Sequence, residues 1–121
     1  MRKILIVDDE PNIVMSLEYT FKKNNFEVYI ARDGQEALEI LKTELPNVII
    51  LDVMMPLVDG FATLKQIKQT ERLKNCKVIF LSAKNKESDI EKGLSLGADL
   101  YMTKPFSVKK LVEQVNSLTG N

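Results

Sequence analysis

Five short apolar runs divide the sequence, and a segment with helical periodicity follows each of them. The runs are ILIV at 4–7, VYIA at 28–31, VIIL at 48–51, VIFL at 78–81 and LYM at 100–102. The first, third and fourth are apolar throughout, which is typical of parallel strands covered on both faces, whereas the second and fifth are mixed and suit the edges of a sheet. The pattern therefore predicts five strands, with three of them in the middle of the sheet.

Amphipathic helices are predicted between these runs. Apolar side chains recur at helical spacing at Ile13, Leu17 and Phe21, at Ala37, Leu38, Leu41 and Leu45, at Phe61, Leu64 and Ile67, and at Val108, Leu111, Val112, Val115 and Leu118. Asp59 and Ser107 come just before two of these stripes and are predicted to be N-caps. Asp9 can also be interpreted as a helix cap, because Pro11 suits a first helical turn.

The helix expected between Lys86 and Leu96 has the weakest pattern. Ile90 and Leu94 are the main residues available to face inward. Gly97 then ends the helix as its C-terminal cap. We expect this helix to be the most loosely packed of the five.

The alternation of strand and helix predicts the fold class. With no hairpin signal between the runs, the sheet should be parallel with helices on both faces, which is an α/β architecture. For five strands we expect the doubly wound, flavodoxin-like order 2-1-3-4-5. The chain has 121 residues, a length that suits one core, so residues 1–121 are interpreted as a single domain.

Composition excludes several kinds of site. Seventeen basic residues balance seventeen acidic ones, so no general attraction to nucleic acid or to an anionic membrane is expected. The chain has no histidine, and Cys76 is its only cysteine, which excludes internal disulfides and zinc sites built from these residues. Together with the lack of a long apolar run, this favours a cytoplasmic protein that binds neither nucleic acid directly nor membrane.

Polar residues follow four of the predicted strands. Asp8 and Asp9 follow the first strand, Asp52 the third, Ser82 the fourth and Lys104 the fifth. Parallel strands end at the same edge of a sheet, and the first and third strands are neighbours at the point where the strand order reverses. The three aspartates are therefore expected to converge there.

Such a group of acids needs cationic partners. Two carboxylates about 4 Å apart repel each other by roughly 4 kcal/mol at an effective dielectric near 20. Lys104 can offset one charge, and Mg²⁺ suits the remainder because it prefers oxygen ligands and needs few carboxylates. A carboxylate beside a divalent ion, with a hydroxyl and an ammonium nearby, is also what the formation of an aspartyl-phosphate requires.

Four segments at these strand ends resemble one known family. VDDEP at 7–11, LDVMMPLVDG at 51–60, LSA at 81–83 and GADLYMTKPF at 97–106 resemble the receiver domain of two-component response regulators, and the likeness covers nearly the whole chain. The resemblance implies that Asp52 accepts a phosphoryl group from a sensor histidine kinase or a phosphotransfer protein. It also implies a signalling domain that assists its own phosphorylation and dephosphorylation and is not an enzyme in the ordinary sense.

The same resemblance assigns roles around the acceptor. It implies that Mg²⁺ is held by the side chains of Asp8, Asp9 and Asp52 and by the backbone carbonyl of Met54. It further implies that Ser82 and Lys104 contact the phosphoryl group.

The resemblance also implies a conformational switch and two residues that set the lifetime of the phosphoryl group. Ser82 and Tyr101 would move on phosphorylation and change the face made by the fourth helix, fifth strand and fifth helix, which a downstream output protein or a missing output domain would read. A cis peptide bond is expected before Pro105. Met54 and Lys84 are expected to tune the lifetime of the phosphoryl group by controlling the approach of water.

Three other functions compete with this interpretation. A haloacid-dehalogenase-type phosphatase also uses an aspartate and Mg²⁺, but it needs Asp-x-Asp after its first strand, where this chain has Asp8, Asp9 and Glu10. A flavodoxin-like flavin carrier needs a phosphate-binding loop at that place, which these acids would repel. A pseudo-receiver that only docks partners usually lacks the residue that corresponds to Asp52 or to Lys104, and both are present.

Overall fold

A five-stranded parallel sheet forms the centre of the molecule. The computed structural model describes residues 1–120. The strands are β1 (Arg2–Val7), β2 (Phe26–Ala31), β3 (Val48–Leu51), β4 (Lys77–Ser82) and β5 (Leu100–Thr103). The helices are α1 (Pro11–Lys23), α2 (Gly34–Ile40), α3 (Gly60–Gln69), α4 (Glu87–Ser95) and α5 (Val108–Leu118). The strand order is β2-β1-β3-β4-β5 with every pair parallel, which confirms the predicted doubly wound fold.

Side chains of the central strands alternate between two apolar layers. In β1, Leu5 and Val7 belong to a cluster with residues of α2 and α3, whereas Ile4 and Ile6 belong to a cluster with residues of α1 and α5. This alternation follows from the two-residue period of a strand. The residues of β3 are all buried, while those of the edge strand β5 are only partly buried, as the sequence predicted.

Two of the predicted helix caps are confirmed. The side chains of Asp59 and Ser107 accept hydrogen bonds of 2.8 and 3.1 Å from backbone N–H groups in the first turns of α3 and α5. The interpretation of Asp9 as a cap is wrong, because the N-cap of α1 is Glu10, and its side chain makes no capping hydrogen bond. Within residues 1–120, no helix is both long enough and apolar enough to cross a membrane.

The expected inward position of Leu45 is wrong. Helix α2 ends at Ile40, and the side chain of Leu45 is 52% exposed. Leu45 precedes Pro46, and the ring of a proline disfavours the helical conformation in the residue before it. The apolar stripe therefore ends before Leu45.

The inward position of Leu94 is also wrong. Leu94 is 45% exposed, and the buried residue of α4 is Gly93. A Cβ atom at Gly93 would lie 2.9 Å from a ring carbon of Tyr101 and 3.0 Å from one of Phe80. The helix backbone thus packs directly on these two rings, and the expected C-terminal glycine, Gly97, follows with a φ angle of +110°.

Candidate functional site

Backbone pairing continues past the strands and fixes the positions of the polar residues that follow them. The Asp52 N–H group donates a hydrogen bond of 3.0 Å to the carbonyl of Val7, and the Lys104 N–H group donates one of 2.8 Å to the carbonyl of Ser82. Each of these residues is therefore held in register with the neighbouring strand. Their side chains start from a rigid edge of the sheet.

Three carboxylates meet at this edge. The side chains of Asp8, Glu10 and Asp52 each place a carboxylate oxygen within 4.8 Å of the other two. Asp8 and Asp52 are almost completely buried, at 3% and 4% exposure, whereas Glu10 is exposed. The Glu10 N–H group also donates a hydrogen bond of 2.9 Å to the Asp8 carboxylate, which holds the two residues together.

The Lys104 ammonium group lies among these carboxylates. Its Nζ atom is 2.7 Å from Glu10 Oε1, 3.0 Å from Asp8 Oδ2 and 3.4 Å from Asp52 Oδ2. An ammonium group has three N–H donors, so it can serve all three acids at once. The peptide bond between Lys104 and Pro105 is cis, the conformation that the sequence resemblance implied.

Burial and the neighbouring charges shift the pKa values of two groups at the site. Burial raises the pKa of the Asp8 carboxyl above its ordinary value, although the Glu10 N–H group and Lys104 act in the opposite direction. Burial alone would lower the pKa of Lys104, but its contacts with Glu10, Asp8 and Asp52 outweigh burial and raise that pKa. One ammonium group thus faces three carboxylates, and the site attracts a further cation.

Asp9 lies outside this group of carboxylates. Its side chain is exposed and lines an open cavity next to the site, together with Met54 and Lys84. The Met54 N–H group donates a hydrogen bond of 3.3 Å to Asp52 Oδ1, and the Met54 side chain is 56% exposed. Asp9, Met54 and Lys84 therefore share one cavity, and Met54 also contacts the Asp52 carboxylate through its backbone N–H group.

Ser82 and Tyr101 are linked through the backbone of Lys84. The Ser82 side chain is fully buried, and its Oγ atom accepts a hydrogen bond of 3.2 Å from the Lys84 N–H group. The Tyr101 hydroxyl donates one of 2.7 Å to the Lys84 carbonyl, and its ring centroid lies 5.6 Å from that of Phe80. Burial raises the pKa of the Tyr101 hydroxyl. The two residues expected to act as a switch thus bind the same loop residue.

Comparison with known families identifies the family of this chain. Residues 4–116 match the response regulator receiver domain family. The chain is a response regulator receiver domain. Membership favours the phosphoryl-accepting interpretation over the phosphatase and flavin-carrier alternatives.

Relatives of this receiver domain include a transcriptional regulator. The chain is 44% identical over 117 residues to the alkaline phosphatase synthesis transcriptional regulatory protein PhoP of Bacillus subtilis strain 168. That alignment covers 97% of this chain and 48% of PhoP, so the chain spans about half the length of this relative.

Solved structures of other receiver domains superimpose closely on this one. The receiver domain of Francisella response regulator 1452 has a TM-score of 0.92 at 37% identity, with 99% of this chain and 98% of that chain covered. The receiver domain of a sensor histidine kinase from Pseudomonas aeruginosa has a TM-score of 0.90 at 25% identity, with 99% and 98% of the two chains covered. That second structure contains a magnesium ion coordinated in the active site cleft.

Sequence reasoning did not include Glu10 in the site of this receiver domain. It selected Asp8 and Asp52, which the structure brings together, and Asp9, which the structure leaves outside the carboxylate group. Glu10 is the third acid in the run that follows β1. That adjacency was the available signal, but it does not reveal which of the acids turns toward Lys104.

The oxygen atoms at the edge of the receiver domain suit Mg²⁺. Hard divalent ions prefer carboxylate and carbonyl oxygens, and Mg²⁺ in particular needs few protein ligands because it keeps bound waters. Asp8, Glu10 and Asp52 supply carboxylate oxygens close to one another. Because the site also has more negative than positive charge, the residues present fit this ion.

Proposed function

We propose that Asp52 accepts a phosphoryl group from a phosphohistidine of a sensor kinase or a phosphotransfer protein. The observation that carries this proposal is the buried Asp52 carboxylate beside Asp8 and Glu10, with the Lys104 ammonium 3.4 Å away. Residues 1–121 would form one receiver domain, located in the cytoplasm where such a kinase presents its phosphohistidine.

In the proposed reaction, a carboxylate oxygen of Asp52 forms a bond to phosphorus. The phosphorus–nitrogen bond of the donor breaks, and its electrons return to the imidazole nitrogen. Lys104 would neutralise charge on the transferring phosphoryl oxygens, and the Ser82 hydroxyl would donate a hydrogen bond to one of them. The burial of Asp52 supports this step, because an ammonium group acts more strongly on an oxyanion where water is largely excluded.

We propose that magnesium binds next to the acceptor. The residues that would hold it are Asp8, Asp9 and Asp52, with the backbone carbonyl of Met54. When bound, the ion supplies neutralisation of negative charge on phosphoryl oxygens. Asp8 and Asp52 lie together in the carboxylate group, and Asp9 and Met54, which follow them closely in the chain, line one cavity, so a small movement of Asp9 would complete the site.

The protein would assist its own phosphorylation and dephosphorylation without turning over a separate substrate. Hydrolysis of an aspartyl-phosphate requires water to reach phosphorus from the solvent side. Met54 and Lys84 line one cavity, and their N–H groups donate hydrogen bonds to Asp52 and Ser82, so we propose that they tune the lifetime of the phosphoryl group.

The proposed output surface is formed by α4, β5 and α5. Ser82 is linked to Tyr101 through Lys84, and the Tyr101 ring packs against α4 at Gly93. A displacement of the Ser82 hydroxyl toward a phosphoryl oxygen would therefore be transmitted to α4 through this loop. A downstream output protein or an attached output domain would read the change, without direct binding of nucleic acid by this domain.

The proposal is tested by incubation with Mg²⁺ and acetyl phosphate, followed by intact mass spectrometry. We expect the wild-type protein to gain one phosphoryl group in a magnesium-dependent manner. Asp52→Asn should gain none, whereas Asp33→Asn, which changes an acid at the cap of α2, should behave as the wild type does. Equal phosphorylation of wild type and Asp52→Asn would contradict the proposal.

A further inference from the structure

We propose that Glu10 is a positioning residue that competes with the phosphoryl group for the Lys104 ammonium. This inference rests on the proposed function, because it concerns the same acceptor site. In the unphosphorylated protein Glu10 pairs with Lys104, and a phosphoryl group must displace Glu10 before it can pair with this lysine. Glu10 would thus set how readily the receiver domain takes up a phosphoryl group.

The contact between Glu10 and Lys104 is the shortest in the site. Lys104 Nζ lies 2.7 Å from Glu10 Oε1 but 3.4 Å from Asp52 Oδ2. All three N–H donors of the ammonium group have a carboxylate partner in the resting state. A phosphoryl oxygen can therefore pair with Lys104 only if one of these partners gives way.

Exposure indicates which partner gives way. The Asp8 and Asp52 side chains are 3% and 5% exposed, whereas the Glu10 side chain is 56% exposed. A buried carboxylate that loses its ion pair pays a large desolvation penalty, but an exposed one is hydrated on release. Glu10 is therefore the partner that Lys104 can exchange at the lowest free-energy cost.

The local structure of α1 leaves Glu10 free for this role. Glu10 is the N-cap residue of α1, yet its side chain makes no hydrogen bond to the helix. It reaches Lys104 instead, at the end of another strand and 94 positions away in the chain. Its own N–H group is fixed by the Asp8 carboxylate, which keeps its backbone beside the site.

The test measures binding of beryllofluoride, a phosphoryl analogue, at saturating Mg²⁺. Binding is followed by NMR through the Lys104 side-chain Cε and Nζ signals, which report directly on the partner of the ammonium group. Glu10→Gln keeps the length of the side chain and removes its charge. Glu10→Asp keeps the charge but is one methylene shorter, and Glu71→Gln serves as a control that removes an exposed charge from the segment after α3.

We expect Glu10→Gln to bind beryllofluoride about 1.4- to 5-fold more tightly than the wild type, the range for loss of an exposed ion pair. The Lys104 signals of the free variant should shift toward those of the bound wild type. Glu10→Asp should resemble Glu10→Gln, because its carboxylate no longer reaches the ammonium group. Glu71→Gln should match the wild type.

Two results would overturn the inference while leaving the proposed function intact. One is equal or weaker binding by Glu10→Gln when the wild type binds normally. The other is wild-type behaviour of Glu10→Asp, which would show that charge alone acts and that contact with Lys104 does not matter. Failure of the wild type itself to bind beryllofluoride would overturn the proposed function and this inference together.

Discussion

The Tyr101 hydroxyl donates a hydrogen bond of 2.7 Å to the backbone carbonyl of Lys84. This bond ties strand β5 to the loop between β4 and α4. Because Ser82 Oγ accepts a hydrogen bond from the N–H group of the same residue, the loop is held from both sides. Through this loop, the contact links the sheet edge that carries Asp52 to α4, the helix that we propose changes position on phosphorylation.

Removal of this hydrogen bond should loosen the loop. For Tyr101→Phe we expect a loss of about 0.5–1.5 kcal/mol in the free energy of unfolding, the usual net value of one hydrogen bond. Urea denaturation measures that loss. Faster hydrogen exchange should be confined to residues 83–86 and α4, and unchanged exchange there would show that the bond does not restrain the loop.

Gly93 allows α4 to approach the ring of Tyr101. In Gly93→Ala, the added Cβ would lie 2.9 Å from that ring, so helix or ring must shift, and overpacking of this kind costs about 1–3 kcal/mol. The gain in helix propensity from glycine to alanine is only about 1 kcal/mol, so a net loss of stability in urea denaturation is expected.

Ser95→Ala is the matched control for that substitution. Ser95 is an exposed residue of the same helix, so alanine there should be neutral or slightly stabilising. The Tyr101 ring signals in an NMR spectrum should shift in Gly93→Ala and not in Ser95→Ala. A stabilised Gly93→Ala protein would show that α4 can move away from the Tyr101 ring without loss of stability.

The sequence predicted correctly those features that depend on residues close together in the chain. The caps Asp59 and Ser107 were found because a capping side chain binds the backbone a few residues away. The inward position of Leu94 was wrong because Gly93 places the helix backbone on rings contributed by other strands. The role of Glu10 was missed for a similar reason, since its partner Lys104 is distant in the chain.

Leu57 adopts a backbone conformation that favours glycine. Its φ angle is +67° and its side chain is 78% exposed, so little apolar contact is lost on truncation. The left-handed conformation costs an L-residue about 1–2 kcal/mol, which exceeds the entropic cost of glycine of about 0.5–1 kcal/mol. We expect Leu57→Gly to raise the free energy of unfolding by up to about 1 kcal/mol.

Leu94→Gly provides the comparison for Leu57→Gly. Leu94 is also substantially exposed but lies in α4, where glycine should lower stability by about 1 kcal/mol. Both variants are measured by urea denaturation. Equal destabilisation of the two would show that the side chain of Leu57 makes a stabilising contact that outweighs its backbone strain.

The raised pKa of Asp8 leads to an expected pH dependence. Because burial holds the pKa of Asp8 above 3.8 in the folded protein, the native state binds the proton more tightly than the unfolded state does. The contribution of Asp8 to the free energy of unfolding therefore falls as pH rises from about 3.8, the ordinary pKa of an aspartate, to the higher pKa that Asp8 has in the folded protein. At neutral pH the charged carboxylate lowers stability.

We expect Asp8→Asn to be more stable than the wild type at pH 7 in magnesium-free buffer. The difference should vanish as pH falls below the ordinary pKa of the acid, and it should narrow at pH 7 when Mg²⁺ is added. Glu71→Gln should parallel the wild type throughout. Urea denaturation at several pH values measures these differences, and a less stable Asp8→Asn protein in magnesium-free buffer at pH 7 would contradict the assignment.

The central claim is that one carboxylate, that of Asp52, carries the phosphoryl group. The most direct measurement is borohydride reduction of the phosphorylated protein followed by peptide mass spectrometry, because reduction converts an aspartyl-phosphate into homoserine at the modified position. We expect homoserine at position 52 and at no other aspartate. Homoserine at Asp8 or Asp9 with none at position 52 would contradict the account.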